Sequence, residues 1–125
     1  MNIDFNQYSI DVITTLYKRA NYNEQIQSLL NQSKKPRCIY VYQNDSHVEF
    51  NLNVLIKQQA DSLNIPIRHI HSKDMNFKFH GRFTIPLLLD SDYVAIFDDD
   101  TIPGENWLAN CLSHSVQLNC LVGAN

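Results

Sequence analysis

Tyr93-Val94-Ala95-Ile96-Phe97-Asp98-Asp99-Asp100-Thr101-Ile102-Pro103-Gly104, residues 93–104, is the stretch that decides the fold. Five apolar residues in a row, without polar alternation, read as a strand covered on both faces. Three carboxylates follow directly, and Pro103 and Gly104 mark the loop beyond them. A buried strand that runs straight into a triplet of acids is the ordinary layout of neither a hairpin nor a surface strand. It places charge at the carboxyl end of a covered sheet.

Working outward, residues 10–16 form a second run rich in β-branched residues, and residues 38–42 a third; residues 65–70 alternate apolar with polar as a short strand. Helical spacing separates them. Asn21 is placed to cap a helix whose stripe is Ile26, Leu29 and Leu30, ending near Gln32. Leu52, Leu55, Ile56, Gln59, Ala60 and Leu63 predict a second helix over 51–64, with Pro66 beyond it. Residues 83–89 read as another helix, starting near Gly81 and Arg82, with Pro86 in its first turns. Strands alternating with helices imply right-handed crossovers and an α/β fold: a mainly parallel sheet with flanking helices, Rossmann-like. Ligands of such sheets bind beyond the carboxyl ends of the strands. That rule gathers residues 15–19, 43–45 and 98–100 at one rim.

With 125 residues, 44% of them hydrophobic and 18% charged, the chain has material for one core, so residues 1–125 are read as a single domain. A formal charge of −3 and a basic cluster limited to Lys34, Lys35 and Arg37 argue against nucleic acid and membrane surfaces as partners. No apolar run approaches the roughly 20 residues of a transmembrane helix, and the start of the chain lacks the build of a signal peptide. A cytoplasmic location is expected. Cys38, Cys111 and Cys120 are odd in number and set among apolar neighbours, which suits buried reduced thiols. His69, His71 and His80 are read as ordinary histidines, because no ligand-type partner accompanies them.

Three adjacent carboxylates repel one another unless a cation or several donors offset them. Hard oxygen ligands suit Mn²⁺ or Mg²⁺, ions that rest on one or two protein carboxylates while substrate phosphates supply further oxygens. If the backbone stays extended, Asp98 and Asp100 share a face and Asp99 points away. Asp100 is then the first choice of metal contact. The competing reading, a solvated acidic turn, accounts less well for the buried strand before it and Ile102, Pro103 and Trp107 after it.

Two stretches, VITTLYKRANYNEQIQSLLNQS at 12–33 and HGRFTIPLLLDSDYVAIFDDDTIPGENWL at 80–108, resemble the GT-A glycosyltransferases, most closely their large inverting group. CLVGAN, at 120–125, is similar to that family's next strand. The resemblance implies a nucleotide-diphosphate sugar as ligand, UDP favoured, held through a divalent metal at a D-x-D motif. It also implies roles. Thr15 and Tyr17 match residues that contact and stack on the base, and Arg19 a phosphate or base contact. Gln43 stands where relatives carry a base-binding aspartate, and Arg82 matches an arginine that reaches the base or diphosphate. Asp98 and Asp99 fall on the nucleotide-sugar side, and Asp98 and Asp100 on the metal. The catalytic base of the inverting members is expected beyond Asn125, the acceptor is not specified, and self-association is expected through uncovered apolar surface. A non-catalytic nucleotide-sugar-binding or protein-interaction module is the alternative. A sugar nucleotidyltransferase would need a Gly-rich loop after the first strand, where Thr14, Thr15 and Leu16 stand instead.

Overall fold

The computed structural model describes residues 4–17, 21–44, 49–73, 75, 77–78 and 80–123. Its centre is a four-stranded sheet of β1 (Ile10–Leu16), β2 (Cys38–Gln43), β3 (Ile67–His71) and β4 (Tyr93–Phe97), in the order β3-β2-β1-β4. Every pairing is parallel. Helices α1 (Tyr22–Leu30), α2 (Val54–Leu63), α3 (Gly81–Thr84) and α4 (Trp107–Leu118) connect or follow the strands. The α/β architecture expected from alternating periodicities is the one observed.

Alternation along the strands divides the core. Val12, Leu16, Ile39 and Val41 face α1, α2 and α4, where Ile26, Leu29, Leu30, Ile56 and Leu108 complete the larger cluster. Ile13 and Tyr42 face the other way and meet Ile85 in the 3-10 turn Ile85–Leu88 that follows α3. Each such aliphatic side chain, fully buried, contributes about 1.5–3 kcal/mol, so the larger cluster carries most of the fold.

Several boundaries depart from the sequence reading for identifiable reasons. Asn21 precedes α1 but makes no side-chain cap bond. Helix α2 begins later than its apolar spacing suggested, because residues 49–51 are strapped to the Tyr22 hydroxyl, which donates to Glu49 O at 3.0 Å and accepts from Asn51 N at 2.9 Å. Asn53 then caps α2, its Oδ1 accepting from Leu55 N at 2.8 Å, and Asn64 ends the helix in the left-handed conformation, φ 56°. The helix read over 83–89 divides: α3 stops at Thr84 and a 3-10 turn takes over at Ile85, just before Pro86, which lacks the amide to continue an α-helix. Helix α4 was not anticipated. Nor do residues 120–123 form the fifth strand that CLVGAN suggested; α4 runs on to Leu118, Asn119 closes it at φ 51°, and the short remainder pairs with no strand among the described residues.

The basic cluster serves the fold. Lys34 Nζ donates to Phe5 O and Tyr8 O ahead of β1, at 2.7 Å each, and Lys35 Nζ to Leu30 O, the last carbonyl of α1, at 2.7 Å. Arg37 bridges Asp11, which is wholly buried, at 2.7 Å and Asp90 at 2.8 Å. Cys38 is buried and Cys111 half-buried, but Cys120 is exposed beyond the end of α4, contrary to the expectation of three buried thiols. No helix among the described residues is long and apolar enough to cross a membrane.

Candidate functional site

Parallel pairing sends the carboxyl ends of β1, β2 and β4 to one rim, and the acidic triplet sits there. Phe97 is the last residue of β4, and Thr101 N donates to Asp98 O at 3.3 Å to close a turn over 98–101. Asp99 and Asp100 therefore lie in the turn and not on an extended strand, so the alternation expected to aim Asp98 and Asp100 together does not continue through them. Asp98 and Asp100 are exposed and Asp99 half-buried.

Two glutamines of the α1 segment, unanticipated in the sequence reading, hold the backbone of this loop. Gln25, 1% exposed, donates both hydrogens of Nε2, to Asp98 O and to Thr101 O, each at 2.7 Å, while its Oε1 accepts from Thr14 Oγ1. Gln32, 0% exposed, donates from Nε2 to Gly104 O at 2.7 Å and accepts Leu108 N at 3.0 Å on Oε1. Gln32 thus supplies the first-turn cap of α4 that Asn106 does not. Both carboxamides are satisfied, as buried amides must be. The signal available in the sequence was position: Gln25 and Gln32 fall on the stripe of Tyr22, Ile26 and Leu29, where an apolar residue would be expected.

Arg82 reaches the turn from α3. Its Nη1 pairs with Asp98 Oδ1, and its guanidinium lies 4.9 Å from the centroid of the Phe83 ring. The docking of α3 depends on Gly81, whose missing side chain admits the ring of Tyr42 against the helix. Tyr42 Oη in turn donates to Asn44 Oδ1 at 2.6 Å, and Asn44 also takes Phe77 N at 2.9 Å and donates to Lys78 O. A hydrogen-bonded frame therefore leads from β2 to residues 77 and 78, and the Tyr42 ring itself rests against Gly81, next to the arginine.

At the end of β1 the register closes with Thr14 opposite Phe97, the last residue of β4, so Thr15 and Asp98 are the residues that follow the final pair. Thr15 Oγ1 and Asn21 Oδ1 are buried without a hydrogen-bond partner among the described residues. Tyr17 is 39% exposed. Arg19 and Asp45 lie outside the described residues. Gln43 differs from expectation: it is 1% exposed, and its Oε1 lies 2.9 Å from His69 Nε2. Its carboxamide is turned into the protein on the α1 side of the sheet and is not presented to a base. His69 stacks on Phe50 at 4.6 Å and on His71 at 5.6 Å; burial, then the nearby His71 and Lys73, hold its ring below the ordinary imidazole value.

Among the described residues, no three His, Cys, Asp or Glu side chains converge on one point. Asp98, Asp99 and Asp100 offer carboxylate oxygens alone, with Arg82 already offsetting part of their charge. Such a donor set fits a hard cation that takes one or two protein oxygens and the remainder from a phosphorylated ligand.

No family model matches the sequence, and no curated protein matches it. Among solved structures the fold is similar to that of S. aureus TarS, a glycosyltransferase, with a TM-score of 0.59 and 14% identity over 89% of this chain. The chain spans 20% of the length of TarS. At that identity the likeness is one of fold, an all-parallel α/β architecture.

Proposed function

We propose that this chain binds the donor of a glycosyltransferase, a nucleotide-diphosphate sugar with UDP favoured, at the rim formed by the ends of β1 and β4 and the start of α3. The observation that carries the reading is Arg82 on Asp98 just past the last β1–β4 pair, with the Thr15 hydroxyl, buried and without a partner among the described residues, following that same pair on β1, at the rim where parallel sheets bind ligands. The TarS-like fold supports the same assignment.

Each residue has a role its chemistry suits. Tyr17 offers an exposed ring for stacking on the base. Thr15 Oγ1 gains the partner it lacks, worth about 1–3 kcal/mol for a buried orphan group. Arg82 exchanges Asp98 for an oxygen of the diphosphate, a change between two anionic partners. Mn²⁺ or Mg²⁺ held by Asp98 and Asp100 supplies positive charge to a departing nucleoside diphosphate. Asp99 is assigned to the nucleotide-sugar side of the turn. Gln43 is not given a direct base contact, and no general base is assigned among the described residues.

Calorimetric titration of UDP, with Mn²⁺ and with EDTA, tests the proposal. Binding is expected in Mn²⁺ and lost in EDTA and in Asp100→Ala. Arg82→Met is expected to weaken binding about 10- to 150-fold, the range for one hydrogen bond to a charged group. Absence of metal-dependent binding at millimolar UDP would refute it, and an Asp100→Ala protein that lost UDP but kept a protein partner would identify a second, separate surface.

A further inference from the structure

We infer that Gln25 is the positioning residue of the acidic turn: its buried carboxamide, oriented by Thr14, sets the backbone of residues 98–101 and through it the placement of Asp98 and Asp100. The inference rests on the donor-site reading above and extends it to a residue that touches no ligand. Three facts carry it. Gln25 is 1% exposed on the core side of α1, where a polar side chain is costly unless every polar atom is used. Both Nε2 hydrogens go to the turn, one to the carbonyl that opens it and one to the carbonyl that closes it, at 2.7 Å each. Those carbonyls accept only, so the orientation of the amide is determined, and Thr14 Oγ1 donates to the opposite end.

The arrangement has a physical consequence. Three successive carboxylates push the turn open by mutual repulsion. Within the turn, closure comes from one long bond, Thr101 N to Asp98 O at 3.3 Å. A bidentate amide clamping both ends opposes that repulsion without neutralising the charge. Because Thr14 is the β1 residue next to Thr15, the same side chain also ties the β1 end of the rim to the β4 end.

Gln32 is the internal control, being equally buried on the same segment but gripping Gly104 O and Leu108 N beyond the turn. Gln25→Met and Gln32→Met are compared by urea unfolding, by amide hydrogen exchange at Thr101, and by calorimetry with Mn²⁺ and UDP. Both variants are expected to lower the unfolding midpoint. Gln25→Met alone should expose the Thr101 amide to exchange at least tenfold faster and weaken Mn²⁺–UDP binding at least tenfold, with Gln32→Met within twofold of the parent in both. Equal losses in the two variants, or a Gln25→Met protein that binds and exchanges like the parent, would overturn the inference. Should Gln25→Met not fold, Thr14→Val removes only the donor to Oε1; about threefold effects in the same two readouts are expected, and parental values would overturn it. A parent protein that binds no Mn²⁺–UDP would defeat the donor-site reading, while the Thr101 exchange rates would still decide whether Gln25 sets the turn.

Discussion

Replacing Gly81 with alanine would put a Cβ 2.5 Å from Cε1 of Tyr42 and nearer still to Cζ and Oη. Ordinary contact begins at 3.4 Å, so the ring or the helix must yield by about 0.9 Å at the least. The ring is not free to do so: Tyr42 is 3% exposed, packed with Ile13 and Ile85, and hydrogen-bonded through Oη to Asn44. Gly81 is needed here for space and not for conformation, since no glycine of the described chain has positive φ. Overpacking of this kind costs about 1–3 kcal/mol, or about 5- to 150-fold in the folding equilibrium. If α3 is what moves, Arg82 is carried off Asp98 and UDP affinity falls with stability. The assay is a double-mutant cycle in urea with Tyr42→Val, which removes the obstructing ring. Gly81→Ala should be expensive in the parent and cost less than about 0.5 kcal/mol in the Tyr42→Val background. Equal costs in both backgrounds would refute the close-approach argument.

Other consequences are measurable. Because the His69 ring is held below its usual value in the fold, the unfolded chain takes up that proton first; the contribution is complete above pH about 6.5 and is lost as pH falls through the lower folded value. The urea midpoint should therefore decline on acidification from pH 7, less steeply in His69→Gln, and parallel declines would contradict this. Arg37→Met leaves the wholly buried Asp11 without its cation, and should lower the urea midpoint with an unchanged slope. Leu87 and Leu88 are 82% and 83% exposed, so Leu87→Ser with Leu88→Ser should leave the midpoint in place and abolish any concentration-dependent association seen by sedimentation. Unaltered association would place the self-contact elsewhere.

The parts of the fold that were legible in the sequence are those encoded by periodicity. The stripe of Ile26, Leu29 and Leu30 and the spacing of Ile56 and Ala60 report burial directly, and parallel order followed from the alternation of strands and helices. The run from Tyr93 to Phe97 is a strand as expected but not a buried one: β4 is an edge of the sheet, and only Phe97 of the run is buried. Helix α4 carried a readable stripe in Leu108 and Leu112, masked by the turn residues before it and by the apolar run 120–122 after it, which drew attention toward a strand. That run lies beside β4, the edge of the sheet, yet pairs with no strand among the described residues and stays exposed. At the rim, residue type pointed to Asp98 and Asp100 and the resemblance to Arg82, and the structure brings Arg82 onto Asp98. Geometry could not be read in the same way. Alternation fails once the backbone turns at Asp98, and the inward orientations of Gln25, Gln32 and Gln43 depend on distant carbonyls and on His69 that no local pattern connects to them.

Anomalous scattering from crystals grown with Mn²⁺ and UDP would test the central claim most directly. A manganese peak is expected against the carboxylates of Asp98 and Asp100, with the diphosphate beside Arg82 and the uracil on Tyr17. Nucleotide and manganese bound together at any other surface, with the 98–101 turn unchanged, would contradict it.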